Sequence, residues 1–271
     1  MDNTYTEKNA DKETNGDLSD LTDIFALQGK NAGCSVKLRG KVVLITFLIN
    51  DGDSHWNKEA EKSAVEMLRS ACVRLMKDSG LNKQELQITY AYCQVSIPSV
   101  VTRKNSGSCV VDVLRQFGYN TIQEYQKHYE SKFSRNETAV TFLFNKSFRS
   151  YAQKVAKAPA EADYQNSYSD EYSVVSFDPG NIPNSERTFL HELLHQFGAI
   201  DYYYPDVVKF KAEKILPNSI MNGGDLIDDL TRYIIGWDDT PSDAAIQFLD
   251  SIKFVTPEDV DFALKKELSD G

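Results

Sequence analysis

Histidine is scarce in this chain, with four among 271 residues: His55, His128, His191 and His195. Cysteine is equally rare, and Cys34, Cys72, Cys93 and Cys109 form no C-x-x-C pair, which argues against a zinc-ribbon or zinc-finger module. They read either as isolated buried thiols or as a single Cys93–Cys109 bridge. Long apolar runs are missing too. The longest, Val42 to Ile49, is too short to cross a bilayer, so no membrane insertion is expected. Basic residues are outnumbered, 30 Lys and Arg against 40 Asp and Glu, for a net charge of −10. The nearest approach to a basic stripe, Lys37, Arg39 and Lys41, alternates as the solvent face of a strand would. Nucleic acid is therefore not an expected partner.

What is present is enough for a sizeable core, since 41% of the residues are hydrophobic and the length suits one large domain or a domain with two lobes. Residues 1–30 read as a polar leader or linker, most polar over the first twenty. Beyond them strand-like and helix-like segments alternate. Lys41–Asn50 is a β-branched apolar run suited to a buried strand, and Asn57–Leu81 has helical periodicity. Leu86–Ile97 is a second strand, Val110–Phe133 is helical, Thr138–Asn145 is a third strand and Glu171–Asp178 a short fourth one. This alternation predicts an α/β layer with a mostly parallel sheet. After residue 200 helices dominate. Asp225–Ile235 is one candidate, and Thr240-Pro241-Ser242-Asp243 and Thr256-Pro257-Glu258-Asp259 each look like a helix start with Thr as cap and Pro in the first turn. The expected organisation is an N-terminal α/β lobe over 31–200 and a small, mainly helical lobe over 201–271.

Against this background two of the four histidines fall four residues apart, in His191-Glu192-Leu193-Leu194-His195. Residues at that spacing share one face of a helix, so both imidazoles can aim at one point. Zinc accepts neutral imidazole nitrogens, and a catalytic site needs three protein ligands and an open position. Glu192, beside the first ligand, can act there as general base toward water. The helix is otherwise apolar, with Phe189, Leu193 and Phe197 at every fourth position, and Pro183-Asn184-Ser185 offers its polar cap. A plain amphipathic helix with a hydrogen-bonded histidine pair explains neither Gly198 nor Asp201. Gly198 can end the helix in the left-handed conformation. The chain then turns back, and Asp201 is the first ligand-type side chain to arrive. His55 and His128 lack matching spacing; Glu213, Asp225, Asp228 and Asp229 are alternatives for the third ligand, with no comparable turn beside them.

The full pattern, H-E-x-x-H-x-x-G-x-x-D, resembles the metzincin-type zinc metallopeptidases, in particular the snapalysin-like branch with aspartate in place of a third histidine. The resemblance implies an α/β (α+β, zincin-like) fold with backing and active-site helices and an antiparallel strand at the sheet edge. It implies one catalytic zinc ion held by His191, His195 and Asp201, and Glu192 as base. Met221, in Leu216-Pro217-Asn218-Ser219-Ile220-Met221, would be the methionine turn beneath the metal. It also implies that the strand before the active-site helix, with Val174 and Val175 at its centre, is the antiparallel edge strand and pairs with an extended peptide. One departure is Gly223, where some relatives carry a tyrosine near the metal. Tyr202, Tyr203, Tyr204 and Tyr233 are the possible substitutes, and packing is the plainer role of each. The expected activity is endopeptidase cleavage of a peptide or protein substrate by a monomer. The expected location is outside the cell, after removal of a signal peptide, with the cytoplasm as the other possibility. Two alternatives remain: a non-catalytic binding module on the same fold, and a zinc amidase acting on a non-protein amide.

Overall fold

The computed structural model describes residues 24–153, 170–256 and 258–260. Five strands form one sheet in the order β2-β1-β3-β5-β4: β1 is Gly40–Asn50, β2 Leu86–Ser96, β3 Glu137–Phe144, β4 Tyr151–Gln153 and β5 Tyr172–Ser176. The first four in that order are parallel, and only β4 runs antiparallel, against β5. Parallel strands need crossovers, and helices supply them. α1 (Lys58–Ser79) joins β1 to β2, and α2 (Ser106–Gln116) and α3 (Ile122–Phe133) join β2 to β3; α4 (Ile182–Gln196) follows the last strand, β5.

Strand β1 has eight consecutive buried residues because both faces of the sheet are covered. Val42, Leu44 and Leu48 point into one cluster, where Met67, Leu68 and Leu75 of α1 meet Phe189, Leu190 and Leu193 of α4. Val43, Ile45, Phe47 and Ile49 point into the other, with Val110, Val113 and Leu114 of α2 and Ile122 of α3. Helix α1 begins at Asn57, whose side chain accepts the Ala60 amide hydrogen at 2.8 Å, and ends at Gly80 with φ +69°.

After α4 come α5 (Asp206–Ile215), α6 (Asp229–Ile234) and α7 (Asp243–Ile252), whose Val208, Leu230, Ile234 and Phe248 continue the α1/α4 cluster. Helix α5 has no counterpart among the sequence expectations. The cap of α7 is Ser242, which accepts from Ala245 N, and not Thr240. Thr256 and Asp259 do exchange hydrogen bonds in the expected reciprocal manner, 2.9 Å and 3.2 Å. Among the described residues no helix is long and apolar enough to cross a membrane. All four cysteines are free.

Two expectations need correction. The first concerns β5. It is not the sheet edge and not antiparallel to its inner neighbour: β3 pairs with it in parallel from Thr141↔Ser173, and β4 covers its other side at Tyr172, Ser173 and Val174. Val174 and Val175 are fully buried, in opposite clusters, so neither is placed to receive a peptide. The antiparallel edge strand exists, but it is β4, three residues from a segment with no strand-like pattern. The second concerns the leader. Its residues 1–23 lie outside the described residues, but 24–30 belong to the fold: Ile24, Ala26 and Leu27 are buried beside α4 and the turn after it.

Candidate metal centre

The site is assembled at the end of α4. That helix starts one turn before the expected Asn184 and Ser185 cap: Asn181 accepts the Asn184 amide hydrogen at 3.3 Å, and Pro183 lies in the first turn, where a missing N–H costs nothing. At the far end Gly198 N–H donates to His195 O (3.0 Å) and Ala199 N–H to Leu194 O (3.2 Å). This pair of bonds around a residue with φ +90° is a Schellman ending, with Gly198 in the left-handed position. Glycine is required there twice over. A Cβ on Gly198 would lie 2.7 Å from the carbonyl carbon of Gly29, and closer still to its oxygen.

The turn determines the orientation of both histidines. His195 Nδ1 is 2.7 Å from Ala199 O, just past the glycine, and His191 Nδ1 is 2.9 Å from Ile220 O. A carbonyl oxygen can only accept, so both Nδ1 atoms carry the proton. Both Nε2 atoms therefore present lone pairs when the rings are neutral, and they converge to 3.2 Å. Asp201 Oδ1 is 3.1 Å from each of them. Glu192, 7% exposed, belongs to the same group: one ligand atom each from His191, Glu192 and His195 lie within 4.8 Å of one another and could hold a metal ion.

The donor set fits a small divalent ion. Ligands about 2.05 Å from a tetrahedral zinc are about 3.3 Å apart, and the three edges here are 3.1, 3.1 and 3.2 Å. Burial pulls the His191 pKa down, but Asp201 and then Glu192 push it up by more, and the net shift is upward. The place thus favours positive charge, as a cation site must.

Met221 is fully buried in the short turn Ile220–Asn222. This turn supplies Ile220 O to His191, and Met221 O accepts the Tyr202 amide hydrogen at 2.9 Å. Of the four tyrosines, Tyr203 is the one at the centre. Its ring stacks on His191 (centroids 6.3 Å apart, 19° between planes), and its hydroxyl bonds to Asp201. Burial and the Asp201 charge hold that hydroxyl well above its usual pKa. Tyr202 is buried beneath with Thr231 and Asp228, and Lys30 lies over the Tyr233 ring. Tyr204 packs edge-on against Tyr203.

The alternative third ligands are elsewhere. Glu213 and Asp225 are exposed, Asp229 accepts from Ser242 Oγ (2.8 Å), and Asp228 is buried among donors below the turn. A cleft of about 680 Å³ opens from Glu192 and Tyr203 along Thr188 and Asn184 of α4, bounded by the loop at 145–150 and by Ser176–Pro179. It lies off the C-terminal ends of β3 and β5, where parallel strands leave a crevice.

One contact was not legible in sequence. The β3–β5 ladder begins at Thr141↔Ser173, and Gln196 serves the residue before it: Val140 N–H donates to Gln196 Oε1 (3.0 Å), Gln196 Nε2 to Ser173 Oγ (2.7 Å), and Ser173 Oγ to Glu192 O (2.8 Å). This buried relay ties the motif-bearing turn of α4 to the sheet.

No protein-family model matches the chain, and no curated protein sequence matches it. Among solved structures, the crystal structure of metalloproteinase-II from Bacteroides fragilis aligns with a TM-score of 0.42 at 9% identity, over 86% of this chain. The chain spans 61% of that structure's length. A likeness this distant carries nothing about chemistry, and the candidate centre rests on its own geometry.

Proposed function

We propose that the chain is a zinc-dependent peptidase, with His191, His195 and Asp201 holding one ion and Glu192 as general base. The observation that carries this reading is the pair of imidazoles fixed by Nδ1–H bonds to main-chain carbonyls, with both Nε2 atoms 3.1 Å from Asp201 Oδ1. A histidine pair that only packs in a core has no need of two lone pairs and a carboxylate at one point. Bound there, zinc supplies Lewis acidity toward a carbonyl and a water.

The chain's own residues do the rest. A peptide lies in the cleft beside Glu192, in place of the strand addition expected along β5. Glu192 takes a proton from water as the water oxygen bonds to the scissile carbonyl carbon. Tyr203 turns its hydroxyl toward the developing oxyanion. Glu192 then hands the proton to the amide nitrogen as the C–N bond breaks, and the remaining hydroxyl proton follows to the amine, releasing a carboxylate and an ammonium group.

The test pairs the wild-type chain with Glu192→Gln. Zinc content measured by mass spectrometry should be near one ion per chain in both. Only the wild type should cleave a mixed peptide library, with the variant at least 10³-fold slower, in the range lost when an acid–base group is removed. A wild type that binds zinc and cleaves nothing favours the binding module. Cleavage restricted to non-peptide amides favours the amidase, and full activity in Glu192→Gln overturns the mechanism.

A further inference from the structure

Beneath the site the carboxylate of Asp228 gathers an unusual number of donors. Oδ2 accepts from Ser219 Oγ (2.6 Å) and Thr231 Oγ1 (2.8 Å), and Oδ1 from the amides of Leu230 and Thr231 (3.0 Å each). Tyr202 Oη is 3.4 Å from Oδ1 and 3.1 Å from Thr231 Oγ1. The bonds from the Leu230 and Thr231 amides to Oδ1 cap α6 (Asp229–Ile234), which accounts for an aspartate at this position but not for its burial or its other partners. A solvent-facing cap needs neither Ser219 nor Tyr202.

Those partners lead to the metal centre by two routes. Ser219 opens the turn that holds Met221, and its Oγ also accepts the Met221 amide hydrogen at 3.1 Å. The next residue, Ile220, supplies the carbonyl that orients His191. Tyr202 directly follows Asp201, and its own amide donates to Met221 O at 2.9 Å. One buried carboxylate thus touches both the loop that aims a histidine and the loop that delivers the aspartate.

We infer that Asp228 is a positioning residue for the metal centre, holding the Ser219–Met221 turn and the Asp201–Tyr202 segment in the relation that brings Asp201 Oδ1 to both imidazoles. This rests on the proposed metal site and adds to it a residue outside the motif. Groups that orient metal ligands set affinity even without touching the ion, with losses of about 10- to 100-fold on removal.

The experiment measures zinc affinity by chelator competition, the visible absorption of the cobalt(II)-loaded chain, and the melting temperature of the metal-free chain. Asp228→Asn keeps the shape, but its amide replaces one acceptor oxygen with a donor. It should bind zinc about 10- to 100-fold more weakly and give an altered cobalt spectrum. Asp229→Asn, a change at the adjacent exposed acid, should alter neither. Ser219→Ala removes the link from Asp228 to the turn, together with the acceptor for Met221 N–H, and leaves the α6 cap in place. It should lose affinity in the same direction, and it answers the question if Asp228→Asn fails to fold. A lowered melting temperature with wild-type zinc affinity and an unchanged cobalt spectrum in the folded variants overturns the inference. A wild-type chain that takes up no zinc overturns the metal reading itself, and the inference with it.

Discussion

Replacing Gly198 by alanine probes whether the end of α4 is as tightly constrained as the structure indicates. Two costs arise. The residue has φ +90°, and an L side chain in the left-handed region costs about 1–2 kcal/mol. The new Cβ would also lie 2.7 Å from the Gly29 carbonyl carbon, and nearer its oxygen, against an ordinary van der Waals contact well beyond 3 Å. Both neighbours are main chain, so the two segments must separate by the better part of an ångström, at about 1–3 kcal/mol as for overpacking in a core. The sum is about 3 kcal/mol, or a fall in melting temperature of roughly 6–12 °C for a chain of this size. Trp56 and Trp237 are both buried and report unfolding by fluorescence in urea. The reverse change, Gly29→Ala, meets Gly198 at 3.0 Å and should cost only about 1 kcal/mol; the double variant should cost less than the sum, because both methyls separate the same pair of segments. Separation also shifts Ala199 O away from His195, so zinc affinity should fall at least tenfold. A Gly198→Ala chain that melts within about 2 °C of wild type and binds zinc equally well refutes the reasoning.

Further predictions concern the surroundings of the site. Gln196→Leu leaves the buried Val140 N–H without an acceptor and should cost about 2–3 kcal/mol in urea unfolding; a cost below about 0.5 kcal/mol means the relay is unimportant. Tyr203→Phe keeps the ring on His191 but loses the hydroxyl, and kcat should drop about 10²-fold with zinc retained, whereas an unchanged kcat removes Tyr203 from the mechanism. Glu137, at the start of β3, is raised to about 7 from 4.5, chiefly by burial. Its folded state holds the proton more firmly than the unfolded one, so its contribution is present below pH 4.5 and is lost as pH rises through 7. After allowance for solvent, that loss is about 1–2 kcal/mol. Glu137→Gln should therefore gain that much on wild type between pH 5 and 8, and parallel stability curves for the two proteins count against it.

Legibility of the fold and site followed the range of the interactions involved. The α4 motif could be read because His191, Glu192 and His195 are related by helical period alone, and the Gly198 turn because a left-handed helix ending is a local event. Strands β1, β2 and β3 were found within a residue or two, since eight buried residues in a row in β1 need no partner to be recognised. Strand β5 was found but misplaced: whether it is an edge depends on β4, whose three residues carry no pattern of their own. Gln196 reads as an ordinary helix residue until the fold brings its side chain to the Val140 N–H, just before the β3–β5 ladder begins. The tail of the supposed leader was missed for a similar reason, because Gly29 has meaning only opposite Gly198.

By itself, then, the sequence determined the chemistry on offer: two imidazoles on one helix face, a carboxylate between them, a glycine turn and an aspartate just past it. Helical periodicity and backbone sterics suffice for that. Only the tertiary structure decided how these groups meet, because meeting depends on main-chain atoms that helical period does not place, most of them remote in sequence. Ile220 O and Ala199 O choose the tautomers, Gly29 holds the turn, and Tyr203 emerges from four equivalent tyrosines. Asp228, in sequence one more candidate ligand, is placed beneath the centre by the packing of α6 under the methionine turn, where it bonds to Ser219 and Tyr202 in place of facing the candidate site.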